Sequence, residues 1–246
     1  MRENTIDLKQ IQEGSVILIN KPLDWTSFDV VNKLRYALTR KLGIKKLKVG
    51  HAGTLDPKAT GLLIICAGKF TKRITEFQDM DKTYTGTFFL GATRPSFDME
   101  TEINEQFSTD HITLGMIDDA RKTFIGDIMQ MPPVYSAIKQ EGKAVYKKAH
   151  KGEGDTVTME ARAVRISSFE ITRTALPEID FEIVCSKGTY VRSLAYDFGK
   201  ALESGAYLQS LHRVAIGDFR SKDAWPLDEL IKEIHSLEAP VVKVNF

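Results

Sequence analysis

The chain has 246 residues, 42% of them hydrophobic and 27% charged, with a formal net charge of +1. This composition excludes wholesale disorder, and no apolar run reaches the roughly 18–20 residues that a membrane span needs. No signal peptide is recognisable, and Cys66 and Cys185 lie far apart with no metal-binding spacing. We therefore expect a cytoplasmic protein without disulfides.

The near-neutral total hides an uneven distribution of charge. Eleven basic residues and a single carboxylate, that of Asp56, lie between Val30 and Thr75, whereas the rest of the chain holds 23 basic and 32 acidic residues. The total charge alone argues weakly against a nucleic-acid partner. The basic segment, in contrast, is typical of proteins that bind a polyanion.

In chain order, the first half begins with a short buried strand at 15–20. Thr26 or Ser27 can cap the helix that follows, whose apolar positions recur at helical spacing. Frequent glycines indicate that residues 43–61 are mostly loop. The other elements predicted for this half are a buried strand at 62–67, a short helix at 70–77, a strand at 82–90 and a helix at 113–124.

In the second half, Pro132 and Pro133 exclude a helix, because proline lacks a backbone donor. Residues 139–154 hold five lysines and are predicted as an exposed basic loop with a helical piece, and Thr189 can cap a later helix. The elements predicted after the loop are strands at 161–166 and 179–185, a helix at 190–202, a strand at 208–216 and a helix at 227–234. This irregular alternation, with no linker, favours an α+β or mixed fold in one domain.

The most informative segment is the loop at 50–61, which reads GHAGTLDPKATG. Its glycines let the backbone approach a ligand closely, and a nearby cation would keep Asp56 ionised and orient it as a nucleophile. The alternative is a structural turn in which Asp56 caps its own loop before Pro57. The glycine spacing matches neither common phosphate-binding loop, which argues against a nucleoside triphosphate site.

Three further residues are candidates, each with a plainer alternative. Arg192 follows a Gly-Thr turn near a predicted helix start, where it can form a bidentate pair with a carboxylate or lie on the surface. Tyr84, at the start of a strand, is more typical of the core than of a site when taken on its own. His51 suits an acid–base, stacking or turn role, and it has no His or Cys partner at metal-ligand spacing.

Six motifs resemble, in the same order, those of the TruB-type tRNA pseudouridine-55 synthases. They lie at 20–27 (NKPLDWTS), 50–61 (the loop above), 82–84 with 90–91, 130–139 (QMPPVYSAIK), 188–192 (GTYVR) and 208–213 (LQSLHR). The resemblance implies the α+β pseudouridine-synthase fold, a mixed and mostly antiparallel sheet flanked by helices and loops, over residues 1–246. It also implies isomerisation of uridine 55 in the tRNA T-loop, by a monomer without metal, cofactor or protein partner.

Position by position, the resemblance assigns roles to individual residues. Asp56 matches the catalytic aspartate, Tyr84 the tyrosine that stacks on the target uracil, and Arg192 the arginine that pairs with the aspartate. Tyr190 matches the tyrosine beside that arginine, whereas His51 and Leu211 match positions that contact the flipped-out nucleotide.

RNA binding is expected from Lys21 and from a basic loop at about 135–154, which is similar to the family's segment that closes over the RNA stem-loop. Lys139, Lys143 and Lys147 are the predicted contacts in this loop, although such a loop taken alone is more often a solvated surface than an RNA contact.

The chain departs from the family pattern in three places. Asp24 stands where the family often has glycine, and aspartate tolerates the left-handed turn. Residues 94–96 (RPS) replace a more Thr-rich segment. Little of the chain follows the last motif, and residues 220–246 are too few for a further domain, so we expect no C-terminal RNA-binding domain of the PUA type.

Two other classes of function explain part of the sequence. A non-catalytic RNA-binding module accounts for the basic segment through phosphate neutralisation, but not for a carboxylate at its centre. A glycosidase-like hydrolase using Asp56 needs a second carboxylate nearby, and segment 30–75 supplies no other.

Overall fold

The computed structural model describes residues 6–133, 135, 139–140, 143–144 and 160–238, with the backbone alone at 139–140 and 143–144. The helices are α1 (Leu8–Glu13), α2 (Ser27–Leu42), α3 (Ile74–Asp79), α4 (Leu114–Thr123), α5 (Val191–Ala201) and α6 (Leu227–Ser236). The strands are β1 (Gly14–Lys21), β2 (Val49–His51), β3 (Ala59–Gly68), β4 (Lys82–Leu90), β5 (Ala92–Thr93), β6 (Glu105–Gln106), β7 (Gly126–Gln130), β8 (Lys139–Gln140), β9 (Lys143–Ala144), β10 (Arg162–Ala175), β11 (Glu178–Cys185), β12 (Ala206–Ile216), β13 (Phe219–Arg220) and β14 (Trp225–Pro226).

The chain divides into two compact units, Met1–Lys82 with His212–Phe246, and Thr83–Leu211. The strands of the first unit follow the order β14, β1, β3 and the last residues of β12, with β2 also paired to β3 and β13 to β12. The strands of the second unit follow the order β12, β4, β11, β10 and β7, where β12 contributes its first residues. Of the pairings whose register is described, only β1–β14 is parallel. Mixed, mostly antiparallel strands with flanking helices make this an α+β fold, as predicted.

Helix α2 organises the core of the first unit. The Thr26 hydroxyl accepts the Asp29 backbone N–H at 3.0 Å, and the Asp29 carboxylate accepts the Thr26 backbone N–H at 3.0 Å. Such a capping box is worth about 1 kcal/mol. Gly43 ends the helix in the left-handed region, with φ of 65°. The buried stripe of α2 packs with β1, β3 and α6, and its members are Val30, Val31, Leu34, Ala37, Leu38 and Leu42.

The second unit has an aromatic core. The ring centroids of Phe88 and Phe181 lie 4.2 Å apart, and those of Phe169 and Phe198 lie 5.6 Å apart. All four side chains are at most 1% exposed. They come from β4, β10, β11 and α5, so this cluster joins the strands to the helix that carries Arg192 at its start.

Several predicted elements need correction. The loop predicted at 43–61 contains β2, and β3 begins at Ala59, three residues before the predicted strand, with its pairing to β1 reaching Gly61. Strand β10 extends to Ala175, well past the predicted end at 166, because two register shifts break its alternation of apolar and polar residues. Strand β7 was not predicted. Tyr190, not Thr189, caps α5, because the Thr189 hydroxyl donates to the Ser186 carbonyl.

The predicted basic loop at about 135–154 falls mostly outside the described residues, as do Lys147 and the side chains of Lys139 and Lys143. Its described part includes the two-stranded ladder β8–β9 where loop was predicted. The single domain expected over residues 1–246 stays a prediction.

Candidate active site

The Asp56 loop is anchored to β3 on both sides. On the N-terminal side, β2 pairs with β3 and the Ala52 N–H donates to the Ile64 carbonyl at 2.9 Å. On the C-terminal side, the Ala59 N–H donates to the Asp56 carbonyl at 3.1 Å, which closes a turn. Asp56 is itself half-buried in the loop between these anchors.

The buried side chain of Arg213 supports the start of the Asp56 loop. Its side chain is 1% exposed, and its guanidinium donates to the carbonyls of Leu62 at 2.7 Å, Gly53 at 3.1 Å and Thr54 at 3.4 Å. A Cβ at Gly61 would lie 2.4 Å from the Arg213 carbonyl oxygen, and Gly61 has φ of 106°. Only glycine suits this close approach.

Helix α2 supports the residue next to Asp56. Ser27 is 2% exposed, and its hydroxyl accepts the Leu55 N–H at 2.8 Å while donating to the Leu55 carbonyl at 3.1 Å. The turn before the helix adds a bond from the Asp24 N–H to the Pro57 carbonyl at 2.9 Å. Asp24 has φ of 63°, the left-handed conformation expected where the family often has glycine.

Lys21 is fully buried beneath the same loop. Its ammonium donates to the carbonyls of Trp25 at 2.6 Å, Pro22 at 2.8 Å and Pro57 at 3.4 Å. A contact between Lys21 and RNA phosphates, expected from the sequence, requires an exposed ammonium, and this ammonium is enclosed. We therefore assign Lys21 to positioning the turn and the Asp56 loop.

Burial lowers the pKa of Lys21 to about 8, and the charge of Asp56 opposes this by raising it. We expect Asp56→Asn to lower the pKa of Lys21 below about 8, because the largest opposing charge is removed. A side-chain NMR titration of Lys21 measures both values. Asp218→Asn, at an exposed turn, is the control and should leave the pKa unchanged. An equal pKa in Asp56→Asn and the wild type would contradict the coupling.

His51 lies at the end of β2 in the same unit. Burial lowers the pKa of His51 and the charge of Arg213 lowers it further, whereas a hydrogen bond with the Gly53 backbone opposes these two effects. The buried Nδ1 of His51 has no hydrogen-bond partner among the described residues. This nitrogen is enclosed by the protein, so the acid–base or stacking role of His51 stays a prediction.

Arg192 is buried in the second unit rather than lying on the surface. It is 3% exposed, and its Nη1 donates to the carbonyls of Tyr135 at 2.8 Å and Ser96 at 3.3 Å. Its Nε lies 3.6 Å from Oδ2 of Asp98, and both side chains are 4% exposed. These contacts hold a permanently charged guanidinium in one orientation at the start of α5.

Gln130 fixes the backbone beside Arg192. Its amide accepts the Tyr190 N–H at 2.7 Å and donates to the Tyr190 carbonyl at 3.0 Å, and Gln130 is 1% exposed. The Tyr190 ring is half-buried, and the Arg162 guanidinium lies 4.9 Å from its centroid. Gln130 thus fixes the backbone of Tyr190, the residue that precedes α5.

Gln130→Leu is expected to reduce the free energy of unfolding by about 1–3 kcal/mol, because the Tyr190 N–H loses its acceptor and the Tyr190 carbonyl keeps only the bond from the Leu194 N–H. Denaturant unfolding measures the loss. Gln106→Leu, at an exposed strand residue of the same unit, is the matched control and should change stability by less than about 0.5 kcal/mol. Equal stability of the two variants would show that the Gln130 amide carries no such role.

The predicted site residues fall into two groups. Asp56, His51 and Lys21 belong to the first unit, and Tyr84, Tyr190, Arg192 and Leu211 belong to the second. Within the second unit the Arg192 guanidinium lies 5.9 Å from the Tyr190 ring centroid. Tyr84 is 8% exposed on β4, and Leu211 is half-buried on β12.

Sequence reasoning missed the roles of Asp98, Gln130 and Arg213. Gln130 and Arg213 lie in motifs that the resemblance includes, so a signal was present for them. Asp98 follows the atypical segment 94–96, and no pattern distinguished it from other aspartates. Within the part of the chain that the structure describes, no cluster of three potential metal ligands occurs and no helix is long and apolar enough to cross a membrane.

Comparison with known sequences gives a consistent result. Residues 39–191 match the family described as TruB family pseudouridylate synthase, N-terminal domain. The chain is 58% identical over 213 residues to a tRNA pseudouridine synthase B of Flavobacterium johnsoniae, covering 86% of this chain and 92% of the relative. It is 54% identical over 232 residues to the protein of the same name in Parabacteroides distasonis, covering 94% and 97%.

Among solved structures, the chain is similar to one in the crystal structure of a Cbf5–Nop10–Gar1 complex. The TM-score is 0.68 at 26% sequence identity, over 92% of this chain and 56% of that chain. The present chain therefore spans little more than half the length of that structural relative. The similarity confirms the fold that the sequence predicted.

Proposed function

The chain belongs to the TruB family of pseudouridylate synthases, and from this membership we propose that it isomerises uridine 55 in the T-loop of tRNA to pseudouridine. The tRNA substrate is supported by the relatives at 58% and 54% identity, both named tRNA pseudouridine synthase B. The observation that carries the proposal is the Asp56 loop, a half-buried carboxylate held between anchored backbone segments above the buried cations Lys21 and Arg213.

The isomerisation depends on a nucleophile rather than on an acid or an oxidant. The N1–C1′ glycosidic bond of the uridine breaks, the uracil turns, and a C5–C1′ bond forms, while the proton on C5 is lost and N1 gains one. Oxidation state and composition are unchanged. The Asp56 carboxylate holds the ribose or the base covalently while the ring turns, and a fixed loop limits its movement during both steps.

The target nucleotide must leave its stack before Asp56 can reach it. We assign to Tyr84 the stacking on the extruded uracil, which is worth about 1–3 kcal/mol per base. His51 is assigned to a contact with the extruded nucleotide, and Leu211 and Tyr190 to apolar contacts with it.

Arg192 is assigned to orienting and stabilising the carboxylate of Asp56. The support is its fixed charge, since Asp98 and two carbonyls hold the guanidinium within its own unit. RNA binding by Lys139, Lys143 and Lys147, a monomeric state and a cytoplasmic location stay predictions.

The test incubates the purified chain with an unmodified tRNA transcript and maps pseudouridine along the product. We expect modification at position 55 alone and none in a transcript carrying cytidine there. Binding without product would support the RNA-binding module, and release of free uracil would support the hydrolase. Pseudouridine at a different position would contradict the proposed target.

A further inference from the structure

A groove of about 860 Å³ lies beside the C-terminal half of α2. Arg35, Tyr36 and Thr39 line it on the helix, and Lys45, Lys46 and Lys48 line it on the segment that follows. Among the described residues that line this groove, none is acidic. Its walls therefore concentrate positive charge in one concave surface.

The local sequence explains how the charge collects there. Residues 30–55 contain seven lysines and arginines and neither aspartate nor glutamate. Gly43 adopts the left-handed conformation, with φ of 65°, which ends α2 and turns the chain. Lys45, Lys46 and Lys48 are exposed beyond this turn. Such a cluster of like charges repels itself, and a bound polyanion relieves the repulsion.

Tyr36 adds a second feature that points to nucleic acid. The ring is 60% exposed, and the guanidinium of Arg40 lies 5.4 Å from its centroid. An exposed aromatic ring among cations suits the stacking of an unpaired base next to neutralised phosphates.

The groove lies away from the candidate active site, along α2. A neighbouring groove of about 550 Å³ shares Asn32 and Tyr36 with it and extends to Asp24 near the start of α2. From Ser27, which holds Leu55 beside the nucleophile, α2 rises about 18 Å to Thr39. Asp24 and Asp29 line the neighbouring groove and repel phosphate, so the anion site is confined to the basic end.

We propose that this basic groove binds the phosphate backbone of the tRNA substrate, with an unpaired base stacked on Tyr36, apart from the nucleotide that enters the active site. The identity of the polyanion as tRNA rests on the proposed function. An acidic protein would suit the lysines, but it would make no use of an exposed ring flanked by guanidinium.

The test compares a triple variant, Lys45→Ala with Lys46→Ala and Lys48→Ala, with the wild type for binding a full-length tRNA transcript over a range of salt. We expect the Kd to rise about tenfold at 0.15 M salt, and the slope of log K against log salt to become shallower by about 2, because phosphate contacts are lost. A matched triple variant at exposed lysines, Lys9→Ala with Lys222→Ala and Lys232→Ala, removes the same charge elsewhere on the same unit and should change neither value.

Two further variants test the stacking. Tyr36→Ala is expected to raise the Kd at least about fivefold, whereas Tyr36→Phe, which keeps the ring, should bind like the wild type. At saturating tRNA, the single-turnover rate of the lysine triple variant should equal that of the wild type.

The outcomes separate the groove from the proposed function. If the lysine triple variant keeps the wild-type Kd and salt slope, the proposed tRNA-binding role of the groove is wrong. The same follows if the matched control variant loses as much affinity as the lysine triple variant. Because binding is measured without turnover, absence of pseudouridine in the wild type would contradict the proposed function alone.

Discussion

Asp56→Asn is expected to form pseudouridine at least about 10⁴-fold more slowly than the wild type, because its neutral amide cannot form the covalent intermediate. Asparagine has nearly the shape of aspartate, so the loop anchored by Ser27 and Arg213 keeps its backbone bonds. The measurement is single-turnover pseudouridine formation on a tRNA transcript, with tRNA affinity determined separately. Affinity should stay within about threefold of the wild type, since one half-buried carboxylate contributes little to backbone binding.

Asp218→Asn is the matched control, because it removes an exposed carboxylate from the same unit and should react at the wild-type rate. Denaturant unfolding shows whether Asp56→Asn is folded, which matters because Lys21 loses a favourable charge nearby. Pseudouridine formation by folded Asp56→Asn at the wild-type rate would exclude Asp56 as the nucleophile.

Arg213→Met is expected to lose about 2–4 kcal/mol of unfolding free energy, because three carbonyls lose a buried, charged donor. It should also lower kcat about 100-fold with a smaller change in KM, because a shift of about 1 Å in the Asp56 loop misplaces the nucleophile. Urea unfolding and steady-state kinetics on tRNA measure the two effects. A structural role alone would lower stability without lowering kcat of the folded enzyme.

Arg213→Lys provides the conservative variant and should recover part of the activity, since an ammonium can still donate to some of the same carbonyls. Arg165→Met is the matched control: the Arg165 side chain is 63% exposed and its guanidinium pairs with Asp127 at 3.3 Å, a surface ion pair worth about 0–1 kcal/mol. If Arg213→Met and Arg165→Met unfold at the same urea concentration, the loop support assigned to Arg213 is wrong.

Elements with an uninterrupted pattern were predictable from the sequence. The strand predicted at 82–90 is β4 with the same bounds, and the helix predicted at 113–124 is α4 with Thr113 as its cap. Each has one period along its length, so local spacing identifies it. Strand β10 was predicted only to 166 because the register shift after Ile166 moves the next apolar positions to the opposite phase, and a second shift follows Ile171. Strand β7 has no run of apolar residues to mark it.

The candidate site was predictable where its residues sit in short motifs. Asp56, Tyr84 and Arg192 each lie within a few residues of distinctive neighbours, so the resemblance identifies them without a structure. The supporting contacts are different, because they join distant parts of the chain. The Arg213 guanidinium bonds residues 151 to 160 positions away, and the Gln130 amide bonds Tyr190 60 positions away. No local spacing encodes such pairs.

The charged residues show the same difference between what the sequence determines and what the tertiary structure decides. The sequence by itself determined that the net charge of +1 conceals a basic segment around one aspartate, since charges can be counted without a fold. Only the tertiary structure decided what each cation does: Lys21 is enclosed among carbonyls under the Asp56 loop, whereas Lys45, Lys46 and Lys48 remain exposed along the basic groove. The physical reason is that burial sets the electrostatic environment of a charge, and burial depends on packing between segments that are distant in the sequence.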